Sequence, residues 1–121
     1  MTVLLGGLRV LVLEDEFLIA MDVEQLCRDH GAEEVVIARD MRDIDIDDVN
    51  GRFDVAIVDV MLGGTSTLDF ARQLMERGLP FVFASGYANL EEINVSFPGV
   101  AVVGKPYGGN DLVQAVAAAV D

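Results

Sequence analysis

The stretch Phe53-Asp54-Val55-Ala56-Ile57-Val58-Asp59-Val60-Met61-Leu62-Gly63-Gly64 decides the fold. An apolar, β-branched run that ends in a carboxylate and then glycines reads as a buried parallel strand. It carries Asp59 to the loop at its C-terminal edge. Open α/β sheets place their ligand sites at that edge.

Upstream, residues 8–13 (Leu-Arg-Val-Leu-Val-Leu) form a second strand-like run that stops at Glu14, Asp15 and Glu16. From Glu16 to His30 the period changes, with Ile19, Val23, Leu26 and Cys27 on one face, which predicts an amphipathic helix closed by Gly31. His30 falls in its last turn, where a polar ring meets free carbonyls, a structural role. Residues 34–38 read as a short strand, and residues 39–50 as a weak or irregular helix with poor periodicity.

Downstream, Ser66-Thr67-Leu68-Asp69 has the spacing of a capping box, with Ser66 capping amides and Asp69 reaching back, so a helix is expected to about Arg77. Gly78 ends it, and Pro80 introduces an extended run over residues 81–84 that delivers Ser85, Gly86 and Tyr87 to a loop. Residues 89–96 are weakly helical. Pro98-Gly99 is a turn, residues 100–103 are a fifth strand, and Lys105-Pro106 follows before a final helix rich in alanine and valine.

Five strands alternating with about five helices imply a flavodoxin-like, doubly wound parallel sheet of order 2-1-3-4-5. The 121 residues fit a single domain, with residues 1–7 as a short amino-terminal tail. No apolar run approaches the roughly 20 residues of a membrane span, and no secretory signal is legible, so a cytoplasmic protein is expected. A lone Cys27 reads as buried packing. With 21 acidic and 8 basic residues, the net charge of −13 repels nucleic acid phosphates and anionic membranes, which excludes direct binding to either.

The strand order places Glu14 and Asp15 beside Asp59, with Ser85 and Lys105 flanking from the last two strands. Converging carboxylates repel unless a cation joins them, and Mg2+, a hard ion taking oxygen ligands in an octahedron, suits such a loop site. Asp15 and Asp59 are the expected direct ligands, Glu14 a ligand through water, and the backbone carbonyl of Met61 a further one. A metal-neutralised carboxylate is a competent nucleophile toward phosphorus, so Asp59 is the candidate phosphoacceptor. Ser85 and Lys105 supply the hydroxyl and ammonium for the equatorial oxygens.

In order and spacing, Glu14-Asp15, Asp59, Ser85 and Lys105-Pro106 resemble the acidic pair, phosphoacceptor, hydroxyl and lysine of the receiver domains of two-component response regulators. The resemblance runs from Leu8 to Val120. It implies phosphorylation from a histidine kinase or histidine phosphotransfer protein, a Mg2+ requirement, and no turnover of a separate substrate. It further implies a phosphorylation-dependent change in the surface around the fourth helix, fifth strand and fifth helix, read by a downstream protein partner.

Three features depart from the common receiver pattern. Val102 stands three positions before the lysine, where receivers carry an aromatic switch residue. Residues 80–87, Pro-Phe-Val-Phe-Ala-Ser-Gly-Tyr, resemble the often stand-alone subgroup with a Phe-Ala-Thr-Gly-x-Tyr motif, shortened by one residue. Leu62-Gly63-Gly64 replaces a proline-containing turn, and Met61 sits where many receivers have a polar side chain. Met61 and Tyr87 are expected to flank the phosphoryl site, restrict the attacking water and slow phosphoryl loss.

Two other classes compete. One is a receiver-like binding module that signals without phosphorylation. The other is an aspartyl hydrolase, which needs an acid two positions after its nucleophile where this chain has Met61. Gly63-Gly64 lacks the lysine of a nucleotide-binding P-loop.

Overall fold

The computed structural model describes residues 4–85, 93, 95–104 and 111–121, with Ser85 described in its backbone only. In chain order the elements are β1 (Arg9–Leu13), α1 (Phe17–Asp29), β2 (Glu34–Ala38), α2 (Val49–Arg52), β3 (Val55–Asp59), β4 (Met61–Leu62), β5 (Thr65–Ser66), α3 (Leu68–Glu76), β6 (Phe81–Ser85), β7 (Val102–Gly104) and α4 (Asp111–Val120). A single 3-10 turn, Met41–Asp43, precedes α2. The weak helix expected over residues 39–50 is thus two short pieces. Most of the helix expected over residues 89–96 lies outside the described residues.

β2, β1, β3, β6 and β7 form one parallel sheet in that order, with β1 and β3 adjacent. This is the expected flavodoxin-like order once β4 and β5 are set apart, because those two pair with each other in an antiparallel hairpin. Parallel neighbours need crossovers, and the helices supply them on both faces.

Alternation along the strands sends successive residues to opposite faces and divides the interior in two. Leu11, Leu13, Ala56, Val58, Phe81 and Phe83 pack with Val49 of α2, with Phe70, Ala71 and Leu74 of α3, and with Phe97. Val10, Val12, Val55, Ile57, Val82 and Ala84 pack with Val23 and Cys27 of α1 and Leu112, Val113 and Val116 of α4. Covering both faces buries all five residues of β3. The rings of Phe83 and Phe97 meet edge to face with centroids 5.1 Å apart.

Glycines close two helices as expected. After α1, Gly31 (φ +93°) donates to Arg28 O, and Ala32 donates to Cys27 O. Gly78 (φ +73°) and Leu79 repeat the same paired bonds on Met75 O and Leu74 O after α3. The His30 ring nitrogen Nδ1 lies 3.0 Å from Leu26 O, in the structural role expected of it.

Three boundaries differ from expectation. β7 begins at Val102 rather than at residue 100, because the turn at Pro98 and Gly99 folds Val100 N back onto Phe97 O. The capping box does not form. Thr67 is the boundary residue of α3, Ser66 belongs to β5 while its hydroxyl accepts from Leu68 N, and Asp69 pairs with Arg72 one turn on. Part of the expected amino-terminal tail is a packed turn: Leu5 is fully buried and donates its N–H to His30 O.

Candidate functional site

The acidic groups arrive at one edge because their strands end in register. Leu13 pairs with Val58, so the residues that follow, Glu14 and Asp15 on one strand and Asp59 on the other, reach the same level at the C-terminal edge. Carboxylate oxygens of Glu14, Asp15 and Asp59 lie within 4.8 Å of one another. Glu14 and Asp59 are buried, and Asp15 is half-buried.

Backbone amides orient all three groups. Glu14 accepts from Glu16 N at 3.2 Å, across the bend that starts α1. Asp59 Oδ1 accepts from Met61 N at 3.3 Å, and Asp15 Oδ2 accepts from Gly63 N at 3.2 Å.

The β4–β5 hairpin was not anticipated in a segment expected to be loop. Gly63 and Gly64 are its two-residue turn, with φ of +58° and +82°. Two positive φ values in succession characterise the hairpin turn whose twist matches its strands, and Gly-Gly is a sequence signal for it. Thr67 N bonds Val60 O at 3.0 Å, so by the alternation of an antiparallel ladder the pair Met61–Ser66 is the non-hydrogen-bonded one. Both the N–H and the carbonyl of Met61 therefore point out of the hairpin, the N–H to Asp59. The Met61 side chain is exposed.

Thr67 is a second residue that sequence reading overlooked. It is fully buried, and its hydroxyl lies within hydrogen-bond reach of the carbonyls of Asp59 and Val60.

Of the other expected site residues, Ser85 has its backbone at the end of β6, in register with Gly104, while Ala84 is in register with Asp59. Lys105 and Tyr87 lie outside the described residues. Val102, at the position of the receiver aromatic, is half-buried in β7 and in register with Phe83.

Three carboxylates within 4.8 Å fit a hard divalent cation that takes oxygen ligands and keeps several waters. The outward-facing Met61 carbonyl, two residues beyond the strand-terminal Asp59, adds an oxygen of the same type. The acidic set is thus compatible with the Mg2+ site of a receiver domain.

No protein-family model matches the sequence, and no curated protein matches it. Solved structures do. A response regulator receiver protein from Sinorhizobium medicae is 23% identical over 94% of each chain, with a TM-score of 0.80. The chemotaxis protein CheY4 of Vibrio cholerae is 22% identical over 94% of this chain and 99% of its own, with a TM-score of 0.78. PhyR of Bartonella quintana, an anti-anti-sigma factor, is 25% identical over 94% of this chain and 47% of its own, with a TM-score of 0.73. The chain therefore has the fold of the response regulator receiver domains.

Proposed function

We propose that this chain is a phosphoryl-accepting receiver of a two-component system or phosphorelay, with Asp59 as the acceptor and a phosphohistidine protein as the donor. The observation that carries this reading is the convergence of Glu14, Asp15 and Asp59 at the C-terminal edge of a receiver-fold sheet.

One carboxylate oxygen of Asp59 attacks phosphorus. The O–P bond forms as the P–N bond to the donor histidine breaks, and the electron pair returns to the imidazole nitrogen. The donor leaves from the form protonated on its other ring nitrogen, so the products are an acyl phosphate on Asp59 and a neutral histidine that keeps that proton. Asp15, Asp59 and the Met61 carbonyl would hold Mg2+ directly and Glu14 through water, and the ion would supply neutralisation of charge on the attacking and transferring oxygens. Met61 N–H orients the Asp59 carboxylate. Ser85 and Lys105 are assigned the equatorial oxygens.

The chain acts on itself rather than turning over a separate substrate, and it signals in the cytoplasm through protein contacts. Phe17, Leu18 and Met21, in the first turns of the helix that follows Asp15, expose their apolar side chains and suit a protein partner at this edge. Among the described residues no helix is long and apolar enough to cross a membrane.

The test is intact-mass spectrometry after incubation with Mg2+ and acetyl phosphate. One phosphoryl adduct is expected on the wild type, with none after chelation and none on Asp59→Asn. An adduct that persists on Asp59→Asn overturns the assignment. A wild type that gains no adduct from acetyl phosphate or from a phosphohistidine donor overturns the whole reading, in favour of a binding module that does not need phosphorylation.

A further inference from the structure

The geometry points to Thr67 as a positioning residue for the phosphoacceptor; this rests on the reading of Asp59 given above. In a parallel sheet, successive residues of a strand direct their polar backbone groups to alternate neighbours. Val60 N bonds Ala84 O on the β6 side, so the backbone groups of Asp59 face β1. Pairing there ends with Leu13 opposite Val58, and the next chain residue, Glu14, turns its N–H to Ala38 O on β2. The Thr67 hydroxyl reaches the Asp59 carbonyl from the base of the hairpin, with a short bond to Asp59 O and a second contact of 3.0 Å to Val60 O.

This hydroxyl governs the peptide planes on both sides of Val60. Those planes set where Met61 begins, and Met61 N–H in turn holds Asp59 Oδ1 at 3.3 Å. Thr67 also donates its own N–H to Val60 O, closing the hairpin at its base. A change at Thr67 is transmitted to both oxygens expected from this turn at the reacting centre, the Asp59 carboxylate and the Met61 carbonyl, without Thr67 touching either the phosphoryl group or the cation. A buried hydroxyl serving two carbonyls is costly to remove, because each loses a hydrogen bond at a place where water does not replace it.

The experiment compares wild type, Thr67→Val and Thr67→Ser. Adduct formation from acetyl phosphate is followed by intact mass at saturating Mg2+, and Mg2+ affinity is measured separately by calorimetry without any phosphodonor. Thr67→Val preserves shape without the donor and is expected to slow the maximal phosphorylation rate about ten- to a hundredfold, the scale of a misplaced reacting group. The acetyl phosphate concentration for half-maximal rate is expected to stay unchanged while Mg2+ binding weakens several-fold. Thr67→Ser, which restores the hydroxyl, is expected to recover both. If Thr67→Val does not fold, Thr67→Cys, of similar size with a weak donor, takes its place and is expected to fall between the two. A lower melting temperature with unchanged rate and unchanged Mg2+ affinity reduces Thr67 to a structural role and overturns the inference. So does a Thr67→Ser variant as impaired as Thr67→Val. Failure of wild type to gain an adduct strikes the acceptor assignment instead, and the Mg2+ affinities still decide for or against Thr67.

Discussion

The amide of Gly63 donates to Asp15 Oδ2 at 3.2 Å, joining the turn of one hairpin to the end of another strand across 48 positions of sequence. The carboxylate expected to bind a cation is therefore also the latch of the hairpin that follows the phosphoacceptor. The latch depends on the turn keeping its form. A Cβ added at Gly63 or Gly64 would meet no atom within 4 Å, so the barrier to substitution there is the positive φ alone. Gly64→Val is expected to lower stability by about 1–2 kcal/mol, the cost of placing a β-branched residue in the left-handed region. Gly64→Asn is expected to cost a few tenths of that. Urea unfolding of the two variants measures the difference.

Met61 presents an exposed side chain two residues after Asp59 while its backbone is committed to the site. If that side chain restricts the water that attacks the acyl phosphate, Met61→Asn accelerates phosphoryl loss several-fold, and Tyr87→Ala does the same. Decay of the adduct after removal of the donor, followed by intact mass, gives the rates. Decay at the wild-type rate in both variants removes these side chains from control of phosphoryl lifetime.

Cys27 is fully buried against the sheet in α1, and burial pushes its thiol up to about 11. Thiolate is the reactive form, so at pH 8 the folded chain holds about a hundredfold less of it than an exposed cysteine would. A disulfide reagent is expected to modify the native chain no faster than it unfolds, and the urea-denatured chain at once. A fast native reaction would place Cys27 at the surface.

Asp54 accepts three bonds from Arg9: from its main-chain N–H at 2.8 Å, from Nε at 3.2 Å and from Nη2 at 3.2 Å. The Arg9 guanidinium beside it holds the Asp54 carboxyl below the usual carboxylate range. A depressed folded value means that the contribution is complete above the ordinary carboxylate pKa and is lost as pH falls through the folded one. The stability advantage of wild type over Asp54→Asn is expected to be greatest near neutrality and to shrink below pH about 4. Thermal melts of the pair between pH 3 and 7 test the sign; a gap that widens with acid contradicts it.

The sheet was legible in the sequence because its strands are apolar runs cut off by charged or turn residues, as at Leu13–Glu14 and Val58–Asp59. Strand termini also located the acidic groups, since a parallel sheet brings the ends of neighbouring strands to one edge. The hairpin was not legible. Its strands are two residues each, too short for alternation to register, and Gly63-Gly64 is equally at home in a loop. Thr67 was masked by a stronger pattern: Ser66 and Asp69 have capping-box spacing, and nothing in the sequence says that a hydroxyl between them turns away from the helix toward a strand terminus. β7 was placed two residues early because the apolar run begins inside the preceding turn.

The complete burial of β3 has a consequence for time rather than for shape. Flanked by β1 and β6 and covered on both faces, the amides of Val55 to Asp59 have no local route to solvent, so their hydrogen exchange proceeds through global unfolding. The β4–β5 hairpin has two-residue strands and an exposed turn, and its amides open by local fraying. Asp59 stands at the junction, its backbone in the protected strand and its carboxylate addressed by Met61 from the less protected hairpin. Opening of the cover around the reacting group is thereby uncoupled from the integrity of the domain that carries it.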